Sequence, residues 1–117
     1  MKNTILRDNA KQFAINVINL IKEIRNNTND FVLTNQLLKS STSIGANIHE
    51  AYYAQGTLDF ISKLEIALKE CYESEYWLEL LFETNYISEN DYKILSNDCG
   101  RIRQMLISSC KTAKGKL

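Results

Sequence analysis

The chain is 117 residues long with 44% hydrophobic and 24% charged residues, enough for one packed, soluble domain spanning 1–117 and too little for two. Its formal net charge is zero at a pI of about 6.6, whereas proteins built mainly to grip nucleic acid carry a basic excess because phosphate neutralisation supplies most of that affinity. There is no Pro and there are four Gly, so little interrupts helices and nothing favours a strand-and-turn architecture.

The spacing predicts four helices over about 4–26, 30–55, 58–84 and 89–112. In the first, Leu6, Ala10, Phe13, Val17, Leu20, Ile21 and Ile24 recur at intervals of three and four. The polar run from Asn26 to Asp30 then ends it, because short polar side chains compete for backbone hydrogen bonds. The N-terminal segment is broken by Arg7, Asp8 and Lys11 and does not read as a secretory leader.

The second helix places Leu33, Leu37, Ser41, Ile44, Ile48 and Ala51 on its stripe. Gly56 suits a left-handed residue just past its end, and Thr57 suits the N-cap of the next helix. A second stripe, Ser40, Ser43, Asn47, Glu50 and Ala54, lies roughly 110° round the cylinder. Small residues there let two backbones approach, and Asn47 and Glu50 can bond across the gap. The stripe reads as a tight helix seam, with a ligand pocket as the alternative.

In the third helix Phe60, Ile61, Leu64, Ala67, Leu68, Cys71, Leu78 and Phe82 form the predicted core face. Ile66, Trp77 and Leu80 then fall nearly opposite, a candidate contact between subunits, since large aromatics dominate interface energies. The fourth helix opens with Ser88 and Asp91 as an approximate capping box. It continues through Tyr92, Leu95, Cys99, Ile102, Leu106 and Ser109, and the last seven residues, from Lys111, read as a frayed tail. Helices of ~25 residues span about 37 Å at 1.5 Å per residue. Short connections make neighbours antiparallel, so the expected fold is all-α, an up-down-up-down four-helix bundle.

Charge is uneven. Residues 1–27 carry net +3, 28–56 net −1, 57–85 net −5 and 86–117 net +3. The first helix starts at the bundle end where the fourth finishes. Lys2, Arg7, Lys11, Lys111, Lys114 and Lys116 therefore form a candidate basic rim for RNA or DNA, or a merely solvated end.

Catalytic and metal motifs do not emerge. His49 is the only histidine, so neither a two-His zinc helix nor a paired Glu-x-x-His di-iron site can be built. The three cysteines, Cys71, Cys99 and Cys110, form no C-x-x-C pair and read as reduced thiols in a cytoplasm. Phosphate loops, nucleophile elbows and dinucleotide fingerprints are missing. The expectation is a protein that is not an enzyme, needs no cofactor or metal, and does not enter membranes.

The stretch from Leu33 to Leu81 resembles the bacterial four-helix bundle proteins encoded in intervening sequences of 23S ribosomal RNA genes. The resemblance is carried by Leu33, Thr34, Gln36, Ser43, Ile44, Asn47, Ile48, Glu50, Asp59 and Phe60, with Ser-Ile-x-x-Asn-Ile-x-Glu as its most specific part. Ala51 stands where the family often has Gly, and the usual Pro before the second helix is missing. The resemblance implies a non-catalytic bundle that assembles with itself into a ring, typically a homopentamer. A relative, the accessory variability protein of diversity-generating retroelements, works with a reverse transcriptase and nucleic acid. On this reading Ser43, Ile44, Asn47, Ile48 and Glu50 tighten helix or subunit packing.

Overall fold

The computed structural model describes residues 4–29 and 31–117 and contains four helices: α1 Thr4–Arg25, α2 Val32–Ala51, α3 Thr57–Glu83 and α4 Glu89–Lys114. Lys2 and Asp30 lie outside the described residues. Each helix packs on the next and α4 closes back on α1, while the backbones of the diagonal pairs stay more than 8 Å apart between Cα atoms. That is the square cross-section of an antiparallel four-helix bundle, 49 Å long and about 20 Å wide. No strand occurs among the described residues.

The stripes become the core because each helix buries one face against two neighbours. All seven stripe residues of α1 are buried, as are Leu37, Ser41, Ile44, Ile48 and Ala51 of α2. On α3 the buried set is Ile61, Leu64, Ala67, Cys71, Ser74, Leu78 and Leu81. Phe60, Leu68 and Phe82 sit at its margin, half-buried against the core. On α4, Cys110 and Ala113 carry the core to the helix end, and Ser109 is half-buried rather than a stripe residue. The helix itself runs on to Lys114, so most of the expected tail is helical.

Helix ends follow local chemistry, with two departures from expectation. Helix α2 stops at Ala51, four residues early, and Gly56 is not left-handed. Gly56 is extended (φ 179°) and serves as the N-cap of α3, so Thr57 is the first helical residue. Asp59, in the first turn of α3, accepts from the Gln55 backbone N–H at 3.2 Å, which ties the connection down from the far side. At the other end of α3, Asn85 takes φ 69°. The Tyr86 N–H reaches the Leu81 carbonyl at 2.8 Å and the Asn85 N–H reaches the Phe82 carbonyl at 3.0 Å. This paired closure satisfies two orphan carbonyls and needs a residue that tolerates the left-handed region. Ser88 accepts from the Asp91 N–H at 3.1 Å, the expected N-cap of α4.

Candidate functional site

The seam between α2 and α3 is the most extensive in the molecule. Ser40 is buried, and its hydroxyl lies 2.8 Å from that of Ser74 on α3. Nearly three turns further along α2, Glu50 accepts from Lys63 at 3.0 Å. These two pairs set the antiparallel register, which puts Asn47 level with Ile66 and Gln36 level with Trp77. Asn47 turns its amide onto its own helix, donating to the Ser43 carbonyl at 2.8 Å. The predicted small-polar stripe therefore divides. Ser40 is sealed inside the bundle, whereas Ser43 and Asn47 are half-buried and Glu50 is exposed on the same flank. Ile44 and Ile48 are buried core residues.

Trp77 and Leu80 are not on the open face of α3, whereas Ile66 is exposed. Trp77 is half-buried and packs against the core edge, with its indole N–H donating to Glu73 at 3.0 Å. Leu80 is half-buried and Ile66 is 39% exposed. The reason is geometric: Ser74 and Leu81 are buried, which swings the centre of the buried face of α3 toward the side that carries Trp77 and Leu80. The outermost ridge of α3 instead carries Tyr72 and Tyr76, each about half exposed. Thus the residues singled out on α2 and those singled out on α3 share one flank of the bundle, a juxtaposition that neither helix reveals alone.

The basic residues are spread over several surfaces. The Arg7 guanidinium lies over the Tyr52 ring, 4.9 Å from its centroid. Arg7 and Lys11 line a groove of about 630 Å³ between α1 and α2, with Ala14, Thr42, Gly45 and Ala46 below and His49 at one end. Lys116 borders a second hollow of about 890 Å³ where α2, α3 and α4 meet, beside Ser108, Thr112 and Thr57. Lys114 is tied to Glu65 of α3 at 2.7 Å, and that carboxylate holds its ammonium proton above the ordinary lysine range. Lys111 is exposed on α4.

Across the α3/α4 seam, Arg103 donates to Glu75 at 3.0 Å and lies 5.5 Å from the Tyr72 ring centroid. The bond to Glu75 raises the Arg103 pKa. Beneath it the Cys99 thiol donates to the Cys71 carbonyl at 3.5 Å. The neighbouring Cys71 and burial push the Cys99 thiol far above its usual range, so it stays protonated. Burial likewise raises Cys110. Thiolates, which are what nucleophilic or metal chemistry requires, are disfavoured here. Among the described residues no group of three or more His, Cys, Asp or Glu side chains is placed to hold a metal ion. None of the described helices is long and apolar enough to cross a membrane.

Residues 2–108 match the family of 23S rRNA-intervening sequence proteins. The crystal structure of a protein of unknown function from the S23 ribosomal protein family of Bacteroides thetaiotaomicron VPI-5482 superposes with a TM-score of 0.88. The two sequences are 49% identical over 91% of this chain and 98% of that one. No curated protein matches the sequence.

Proposed function

The chain belongs to the 23S rRNA-intervening sequence protein family, and from that premise we propose that it is a non-catalytic, cytoplasmic interaction protein whose single bundle works as a homo-oligomeric ring, a homopentamer. The observation that carries this reading is the α2/α3 flank. It carries exposed Val32 on α2, exposed Ile66 on α3 and, about three turns further along α3, half-buried Trp77 and Leu80, beside the small and polar Ser43 and Asn47 of α2. An indole at the edge of an apolar strip, with its N–H already satisfied by Glu73, can lose its remaining water without losing a hydrogen bond. Size-exclusion chromatography with light scattering at micromolar protein tests it. The expected mass is about five times 13.5 kDa, and Trp77→Ala lowers the mass while helicity stays intact. A wild-type monomer removes the reading.

The alternative is a nucleic-acid accessory that uses Lys2, Arg7, Lys11, Lys111, Lys114 and Lys116. Its support is the basic surplus of α1 and α4 at a shared bundle end; the Lys114–Glu65 pair weighs against it. Electrophoretic mobility of a mixed RNA pool at ~50 mM salt, where phosphate contacts are strongest, decides it. An unshifted pool ends this alternative.

A further inference from the structure

We infer that the α3 flank bearing Ile66 and Trp77 docks, on a second copy of the chain, into the groove between α1 and α2 that is floored by Ala14, Gly45 and Ala46. This rests on the self-association reading above and adds which two surfaces meet. Three observations carry it.

The first is shape. The groove is a trough of about 630 Å³ whose floor is made of the smallest side chains on both helices. A trough between two helices accepts the ridge of a third. The α3 flank is such a ridge, with Ile66 and Trp77 eleven residues apart, about three turns on one side of a single helix.

The second is charge. Arg7 and Lys11 outnumber Asp8 on the wall of the groove, and α1 carries more basic than acidic residues. The α3 segment is net −5. Among the described residues its acidic ion pairs within the chain use Glu65 and Glu75, which leaves Glu70 and Glu73 beside Ile66 and Trp77 outside those pairs. Burial, then the neighbouring Glu73, raises the Glu70 carboxyl pKa against the smaller opposing pull of Lys39 and Lys69, so a further cation brought up by a partner relieves a repulsion that these two lysines leave. Opposed potentials of this kind also set the register of an interface.

The third is topology. Helices α1 and α3 stand on a diagonal, with no Cα atoms within 8 Å of each other, and the α3 flank and the α1/α2 groove open on different faces, so the acidic ridge can fill such a trough only on another molecule. The contact is therefore heterologous, with two different surfaces, and such contacts must close into a ring or grow without limit. The α2/α3 flank and the α1/α2 groove are adjacent faces of a square bundle and diverge by roughly 90°. Repetition of that turn closes on about four or five copies, with α2 toward the ring axis.

The test uses two full-length variants, each blocking one surface. Ala46→Trp fills the trough from an exposed position, and Ile66→Arg places a charge on the ridge. Each alone is expected to run at 13.5 kDa with wild-type helicity. An equimolar mixture is expected to give a species of twice that mass and nothing larger, because one intact ridge and one intact trough remain. If Ala46→Trp loses helicity, Lys11→Glu takes its place as the trough variant. A wild-type oligomer whose mass is unchanged by the trough variant, or variants that stay monomeric when mixed, overturns the pairing of surfaces alone. A monomeric wild type overturns the self-association reading and this inference together.

Discussion

Ser40 on α2 and Ser74 on α3 share a hydrogen bond of 2.8 Å between hydroxyl oxygens, with both residues buried. Ser40 can direct its proton to the Leu37 carbonyl of its own helix at 3.3 Å and accept from Ser74. Removing one hydroxyl leaves the other with a poorer network in a dry seam. Ser74→Ala is expected to cost about 1–2 kcal/mol. The double change Ser40→Ala with Ser74→Ala is expected to cost less than the sum of the two single changes. Urea denaturation of the four proteins measures both; strict additivity would show that the hydroxyls do not interact.

The closure of α3 depends on Asn85 at φ 69°. Asn tolerates this region through its short polar side chain, Gly adopts it freely, and a β-branched residue clashes. Asn85→Gly is expected to lie within about 0.5 kcal/mol of wild type and Asn85→Val to lose about 1–2 kcal/mol. Thermal melts that rank Val equal to Gly would contradict the left-handed closure.

Gly45 sits inside α2 at the bottom of the α1/α2 trough. A Cβ there would lie 3.8 Å from Ala10, an ordinary contact distance. Gly45→Ala is therefore expected to stabilise the chain by roughly 0.5–1 kcal/mol, because the unfolded state loses freedom and the helix gains a better former. A drop in the denaturation midpoint would mean that α1 and α2 approach more closely than described.

Cys71 and Cys99 are buried and Cys99 is held protonated. Reaction of the folded protein with a disulfide reagent at neutral pH is expected to follow unfolding, and to become immediate in denaturant. Reaction of these thiols within seconds under native conditions would refute their burial.

Lys63 and Lys114 have folded pKa values raised above the ordinary 10.5 by their bonds to Glu50 and Glu65. A cation whose folded pKa is raised contributes stability that is fully present below its unfolded pKa. That contribution is lost as pH climbs through the higher folded value. The stability difference between wild type and a Lys63→Met/Lys114→Met protein is thus expected to be flat from pH 7 to pH 9 and to shrink above about 10.5. Paired denaturation curves across that range check it; a difference that vanishes below pH 9 would rule out these two pairs as its source.

The helix count and most of the interior were legible in the sequence, because hydrophobic spacing on α1, α2 and α4 admits one inward face each. Helix α3 was harder. Its apolar residues run almost all the way round, so period alone does not choose between faces, and the choice falls to neighbours such as α2, which buries Ser74 by giving it Ser40. That pairing spans 34 residues and leaves no local trace. It also explains why Trp77 stands at the core edge rather than opposite it. The α2 stripe was recognisable as a seam, but its division into a sealed serine and a surface-facing Ser43–Asn47 pair depends on a register that spacing on one helix does not encode. Gly56 misled for a similar reason: a glycine before a helix and a glycine after one look alike until the backbone shows which helix it caps.

The seams that hold α1 are the least extensive of the four, and its closure on α4 is the thinnest. Helix α1 is therefore the stave that leaves first when the barrel loosens. Its amides should exchange with deuterated solvent ahead of those in α2 and α3, whose shared seam is the widest of the four.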